Sequence, residues 1–81
     1  MPRKPPTVTN RIRELRFTNR EMTQQALADE VGVTRQTIIA LEARKYVPSL
    51  LLAVRIAAAF RVGIDEVFHF NGEERRTDRS R

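Results

Sequence analysis

The sequence predicts an all-α fold, a compact domain of five helices, and three observations carry that prediction. The core must be drawn from Leu, Ile, Val and Ala, because the chain holds only four Phe, one Tyr and no Trp, a supply that suits helices better than a sandwich or barrel. Apolar positions recur at spacings of three and four, the period of a helix face. Residues able to cap a helix stand ahead of successive segments. No internal repeat and no strand alternation is visible.

Taken in order, residues 1–8 read as a flexible basic arm, with Arg3, Lys4 and three of the four prolines within the first six positions, a composition that stays extended and solvated. The first helix begins at Thr9 or Asn10, either able to cap, carries Ile12 and Leu15 at i, i+3, and ends near Asn19. Thr23 caps a second helix over 24–31, whose Leu27 and Val31 share a face with Ala28 beside them, and Gly32 stops it. Thr34 caps a third, with Val33 placed to staple onto Ile38, and this helix runs to about Arg44. Pro48 and Ser49 open a fourth, with Leu50, Ala53, Ile56, Ala57 and Phe60 at core spacing. A short fifth runs from Ile64 to Phe68 with Asp65 and Glu66 in its first turn. The segment 71–81 has no aliphatic residue and reads as a disordered charged tail, so the folded domain is 9–70.

Composition excludes several classes of function. With no Cys and a single His, His69, there is no disulfide framework and no metal-ligand cluster, and three glycines supply no phosphate-cradling loop. No enzyme activity, metal or cofactor is expected, and His69, between Phe68 and Phe70, reads as a surface or interface residue. The longest apolar run, 50–54, is far short of the roughly 20 residues that span a bilayer, so a cytoplasmic protein with no membrane partner is expected. The net charge of +5 permits a polyanionic partner. Residues 7–70 hold nine basic and seven acidic groups, however, so a binding face has to come from local arrangement.

The stretch Thr23–Glu42, TQQALADEVGVTRQTIIALE, is two short helices joined by a glycine-centred turn, the helix-turn-helix geometry. With N-R-I-R-E-L-R at 10–16, M-T-Q-Q-A-L-A at 22–28, V-G-V-T-R-Q-T-I at 31–38, L-E at 41–42, Y-V-P-S-L at 46–50, R-I-A at 55–57 and D-E-V-F at 65–68, the chain resembles the phage-repressor and Cro-like family of bacterial regulators. The resemblance runs from Asn10 to Phe68. It implies a repressor-like domain that binds double-stranded DNA and controls transcription.

At 100° per residue the third helix keeps one face that a core would not want. Ile38, Leu41 and the stem of Lys45 lie on one side, and Arg35, Gln36, Ile39, Ala40 and Ala43 on the other. Arg pairs with guanine and Gln with adenine in the major groove, while Ile or Ala can meet a thymine methyl, so Arg35, Gln36, Ile39 and Ala40 are the candidate base-reading residues. The resemblance implies phosphate contacts from Gln24 and Thr34, both at helix N-termini that favour an anion, and from Arg44, Lys45 and Tyr46 beyond the reading helix. Thr37 and Arg11 join this phosphate-contacting set. It also implies a salt bridge between Arg16 and Glu42. Arg44 and Arg61 stand where the family usually has glycine, so each is expected at positive φ at a cost of about 1 kcal/mol. The loop between the first two helices is one residue longer than in the phage repressors.

A single recognition helix reads too little DNA for specificity in a genome, and family members pair through their C-terminal helices. Leu51, which replaces an acidic residue, and Ile64, Val67, Phe68 and Phe70 are the expected interface of a homodimer on an inverted-repeat operator. With no ligand domain, repression by blocking polymerase is the simplest mechanism. The alternative is an antitoxin or other protein-interaction module built on the same fold; against it stands the reading face, which such a module would not need.

Overall fold

The computed structural model describes residues 7–45 and 47–71; the side chains of Thr7, Phe70 and Asn71 lie outside that description. The elements run β1 (Thr7–Asn10), α1 (Ile12–Thr18), α2 (Gln24–Val31), α3 (Arg35–Glu42), α4 (Leu50–Phe60), α5 (Ile64–Val67) and β2 (Phe68–Asn71). Among the described residues the five expected helices make up most of the fold, and a small sheet is added to them, so the fold is mostly rather than entirely helical. β1 and β2 form a two-stranded antiparallel sheet, with Thr7 opposite Asn71 and Asn10 opposite Phe68. Thr7 and Val8, expected in the arm, and Asn71, expected in the tail, therefore belong to the folded unit. Residues 1–6, with Arg3 and Lys4, and residues 72–81 lie outside the described residues.

The start of α1 also differs from expectation. Thr9 is in the strand, and Arg11 holds the cap position with no side-chain bond. Asn10 does the capping from one residue earlier, its Oδ1 accepting from the Ile12 amide at 3.1 Å, while its Nδ2 donates to the Leu41 carbonyl at 2.9 Å. One side chain thus ties β1, α1 and the end of α3. The Arg11 amide donates to the Val67 carbonyl at 2.8 Å and fastens the start of α1 to α5.

α2 follows its local signals. Thr23 accepts from the Ala26 amide and Gly32 takes a left-handed φ of 81°, which a glycine adopts without steric cost. Thr34 and Ser49 cap α3 and α4 in the same way. α3 stops at Glu42, short of the expected Arg44, because Arg44 itself turns left-handed at φ 60°. Arg61 ends α4 at φ 61°. In the longer loop between α1 and α2, Arg20 and Glu21 also adopt φ of 63° and 53°. That turn is held by the Met22 amide donating to the Arg16 carbonyl at 2.8 Å.

The core is one cluster of Ile12, Leu27, Ala28, Val31, Ile38, Leu41, Ile56, Ala57, Phe60 and Val67, with Leu15, Val33 and Phe68 packed at its edge. Two expectations fail here. Leu50 is 75% exposed, because as the first residue of α4 it lies beyond the edge of the core that Ala53 begins. Val67 is fully buried and cannot offer its side chain to a partner copy, because the short α5 turns it inward into the core cluster. Among the described residues no helix is long and apolar enough to cross a membrane.

Candidate nucleic-acid interface

α3 is anchored by Ile38 and Leu41, both buried, so its opposite side must face outward. Arg35, Gln36 and Ala43 are exposed there, while Ile39 and Ala40 are half-buried. Ile39 is therefore not a free protrusion. It lines a cleft of about 390 Å³ with Asn10, Arg11, Arg13, Glu14, Gln24, Glu42, Ala43 and Arg44.

Arg16 and Glu42 meet at the base of this surface, Nε to Oε2 at 2.7 Å and Nη2 to Oε1 at 3.2 Å, with only 10% and 12% of their side chains exposed. Arg16 Nη1 also donates to the Met22 carbonyl at 3.0 Å. Gln24 Nε2 donates to Glu42 Oε1 at 3.2 Å, so the carboxylate joins α1, α2 and α3 in one network. The bond from Gln24 to Glu42 was not legible in the sequence, where Gln24 reads as a phosphate contact at a helix start. It sets the side chain's direction at the first turn of α2.

The two helix starts differ in how their hydroxyls are used. Thr23 accepts from the Ala26 amide at 2.9 Å. Thr34 accepts from the Thr37 amide at 3.3 Å, and its hydroxyl lies 3.1 Å from that of Thr37. The amides that precede these in each first turn have no carbonyl within their own helix to bond. Arg11 is engaged away from α3: Nε meets Glu14 Oε1 at 2.8 Å and Nη1 donates to the Glu66 carbonyl at 3.3 Å. Arg44 and Lys45 are exposed just after α3, and Tyr46 lies outside the described residues.

A second cleft, of about 630 Å³, opens on the other side of Glu42 between Arg13, Arg16, Phe17, Thr23, Gln24, Gln25 and Arg35. Arg13 and Phe17 have no place among the sequence-derived candidates. Their i, i+4 spacing on α1, with an aromatic outside the core stripe, is the signal that could have found them.

A family model described as Helix-turn-helix matches residues 12–67. The chain belongs to the helix-turn-helix family of transcriptional regulators. A relative from Archaeoglobus fulgidus, described as an uncharacterized HTH-type transcriptional regulator, is 52% identical over 64 residues, which span 79% of this regulator and 90% of the relative. YgzD of Bacillus subtilis, with the same description, is 45% identical over 64 residues, 79% of this chain and 96% of its own. The crystal structure of a protein from Bacteroides fragilis, described as a candidate DNA-binding protein, superimposes with a TM-score of 0.67 at 25% identity. That match covers 78% of this regulator and all of the other chain.

Proposed function

We propose that this regulator reads duplex DNA with α3 and represses transcription as a cytoplasmic homodimer on an inverted-repeat operator, with no metal or cofactor. The observation that carries the reading is the two-sidedness of α3: Ile38 and Leu41 hold it in the core, while Arg35 and Gln36 stand exposed at its N-terminus beside Ile39 and Ala40. An Arg and a Gln at the leading end of a projecting helix match the donor and acceptor pattern of guanine and adenine in the major groove. The description of the Bacteroides fragilis protein as DNA-binding supports the same reading.

In this reading Thr34, Thr37 and Gln24 meet backbone phosphates at the starts of α3 and α2, where amides and helix dipole favour an anion. Arg44, Lys45 and Tyr46 follow the backbone beyond α3, and Arg11 contacts it from the cap position ahead of α1. The dimer in this reading uses Leu51, 59% exposed, and Ile64, 37% exposed, together with Phe68 and with Phe70, whose side chain lies outside the described residues. Two copies so paired would set their α3 helices in successive major grooves, roughly 34 Å apart.

Selection of bound sequences from a random duplex pool tests the whole reading. It is expected to return an inverted repeat with half-sites about 10 base pairs apart. A pool that shows no enrichment overturns it. The exposed apolar side chains Val47, Leu50, Leu51 and Val54 favour a second reading, a role in holding another protein, as an antitoxin does. Capture of a heterologous partner without operator enrichment would favour that second reading.

A further inference from the structure

We infer that Arg13 binds a backbone phosphate of DNA in the cleft between α1 and the starts of α2 and α3, and that Phe17 positions its guanidinium; the inference rests on the DNA-binding reading above. Three guanidiniums, from Arg13, Arg16 and Arg35, line that cleft against one carboxylate, Glu42. Glu42 is already committed to Arg16 at 2.7 Å. Across the adjoining cleft Glu14 is committed to Arg11 at 2.8 Å, so the carboxylates bordering Arg13 are both engaged by other arginines. Among the described residues, then, no carboxylate is paired with Arg13, and its charge is placed to meet an anion at the mouth of the cleft.

Phe17 supplies the second, independent observation. It is 55% exposed although large and apolar. The Arg13 guanidinium carbon lies 5.8 Å from its ring centroid and that of Arg16 lies 5.7 Å away, both within cation–π range. An exposed ring flanked by two cations adds nothing to the core. It holds Arg13 one turn along α1, over the cleft, at less entropic cost than a freely moving arginine would incur on binding. The polar groups around the cleft suit a phosphate rather than a base edge: Thr23, Gln24 and Gln25, at the start of α2, line it beside Arg13.

The test uses the full chain, a short mixed-sequence duplex and an operator recovered by selection, with binding followed as a function of salt. Arg13→Gln is expected to weaken binding to both duplexes by a similar factor, about tenfold at low salt, and to flatten the slope of log K against log salt by about 0.9, one phosphate. Phe17→Leu keeps the charge and the bulk but removes the ring face, so affinity falls by a smaller factor with the slope kept, and Phe17→Tyr restores it. An Arg13→Gln variant with wild-type slope overturns the phosphate contact, and a Phe17→Leu variant with wild-type affinity overturns the positioning role. Arg35→Ala separates this from failure of the underlying reading. If it loses operator preference while Arg13→Gln changes nothing, the DNA-reading face stands and this site falls; if the wild type binds neither duplex, both fall.

Discussion

Arg16 of α1 and Glu42 of α3 form a nearly buried ion pair whose 2.7 Å bond spans the two helices that flank α2. Removing one partner leaves the other charge shielded from water and unmatched. Arg16→Ala or Glu42→Ala is expected to destabilise the domain by about 3–5 kcal/mol, whereas replacing both with apolar residues of similar volume costs far less. Urea unfolding of the two single variants and the double variant checks this; single variants within experimental error of wild type would contradict it.

The proposed base reading by α3 predicts a separation between stability and affinity. Arg35 and Gln36 are exposed, so Arg35→Ala and Gln36→Ala should leave the melting temperature unchanged while weakening operator binding by about 1–3 kcal/mol each. Titration of a selected operator and a scrambled duplex measures both. Equal losses on the two duplexes would reassign these side chains to the backbone.

The left-handed arginines offer a comparison, because the proposed function puts one of the two sites, Arg44, against DNA and leaves Arg61 out of the interface. Arg44 and Arg61 sit at φ 60° and 61°, a conformation that costs a non-glycine residue about 1 kcal/mol or more. Arg61→Gly should raise stability by up to about 1 kcal/mol, less the extra entropy glycine brings to the unfolded chain, with DNA affinity intact. Arg44→Gly should give a similar gain in stability together with a loss of affinity. Thermal melts and salt-dependent titrations distinguish the two.

The proposed dimer predicts that charge at the exposed apolar face uncouples the two half-sites. Leu51→Glu with Ile64→Glu should leave the fold and half-operator binding intact and abolish cooperative binding to the full operator. Mass measured by light scattering, with gel-shift titrations on both duplexes, reports the outcome. Cooperative full-site binding by this variant would place the interface elsewhere.

Most helices were legible because their ends are set locally. Thr23 and Gly32 bracket α2 by a hydroxyl cap and a left-handed glycine, and both act within one turn of their own position. The sheet was not legible, because its strands are four residues each and come from opposite ends of the domain, with no hairpin turn to announce them. Leu50 was misplaced for a related reason: helical spacing gives a residue's side of a helix and says nothing of where along the axis the core begins. The outward face of α3 could be read from periodicity, whereas the bond from Gln24 to Glu42 and the pairing of Arg13 with Phe17 depend on how three helices meet.

The pairing of Thr7 with Asn71 makes the domain topologically close to a ring. Closing a loop of roughly sixty residues costs on the order of 4 kcal/mol of chain entropy, and a two-stranded ladder this short is marginal by itself. Its clasp is therefore fastened from inside, where Asn10 grips the Leu41 carbonyl and the Arg11 amide grips that of Val67. Fraying that starts at the outer pair should run inward and halt at Asn10, leaving the helices assembled. The same residue carries any strain on the clasp to the last turn of α3, so tension at the seam and the seating of that helix share one hinge pin.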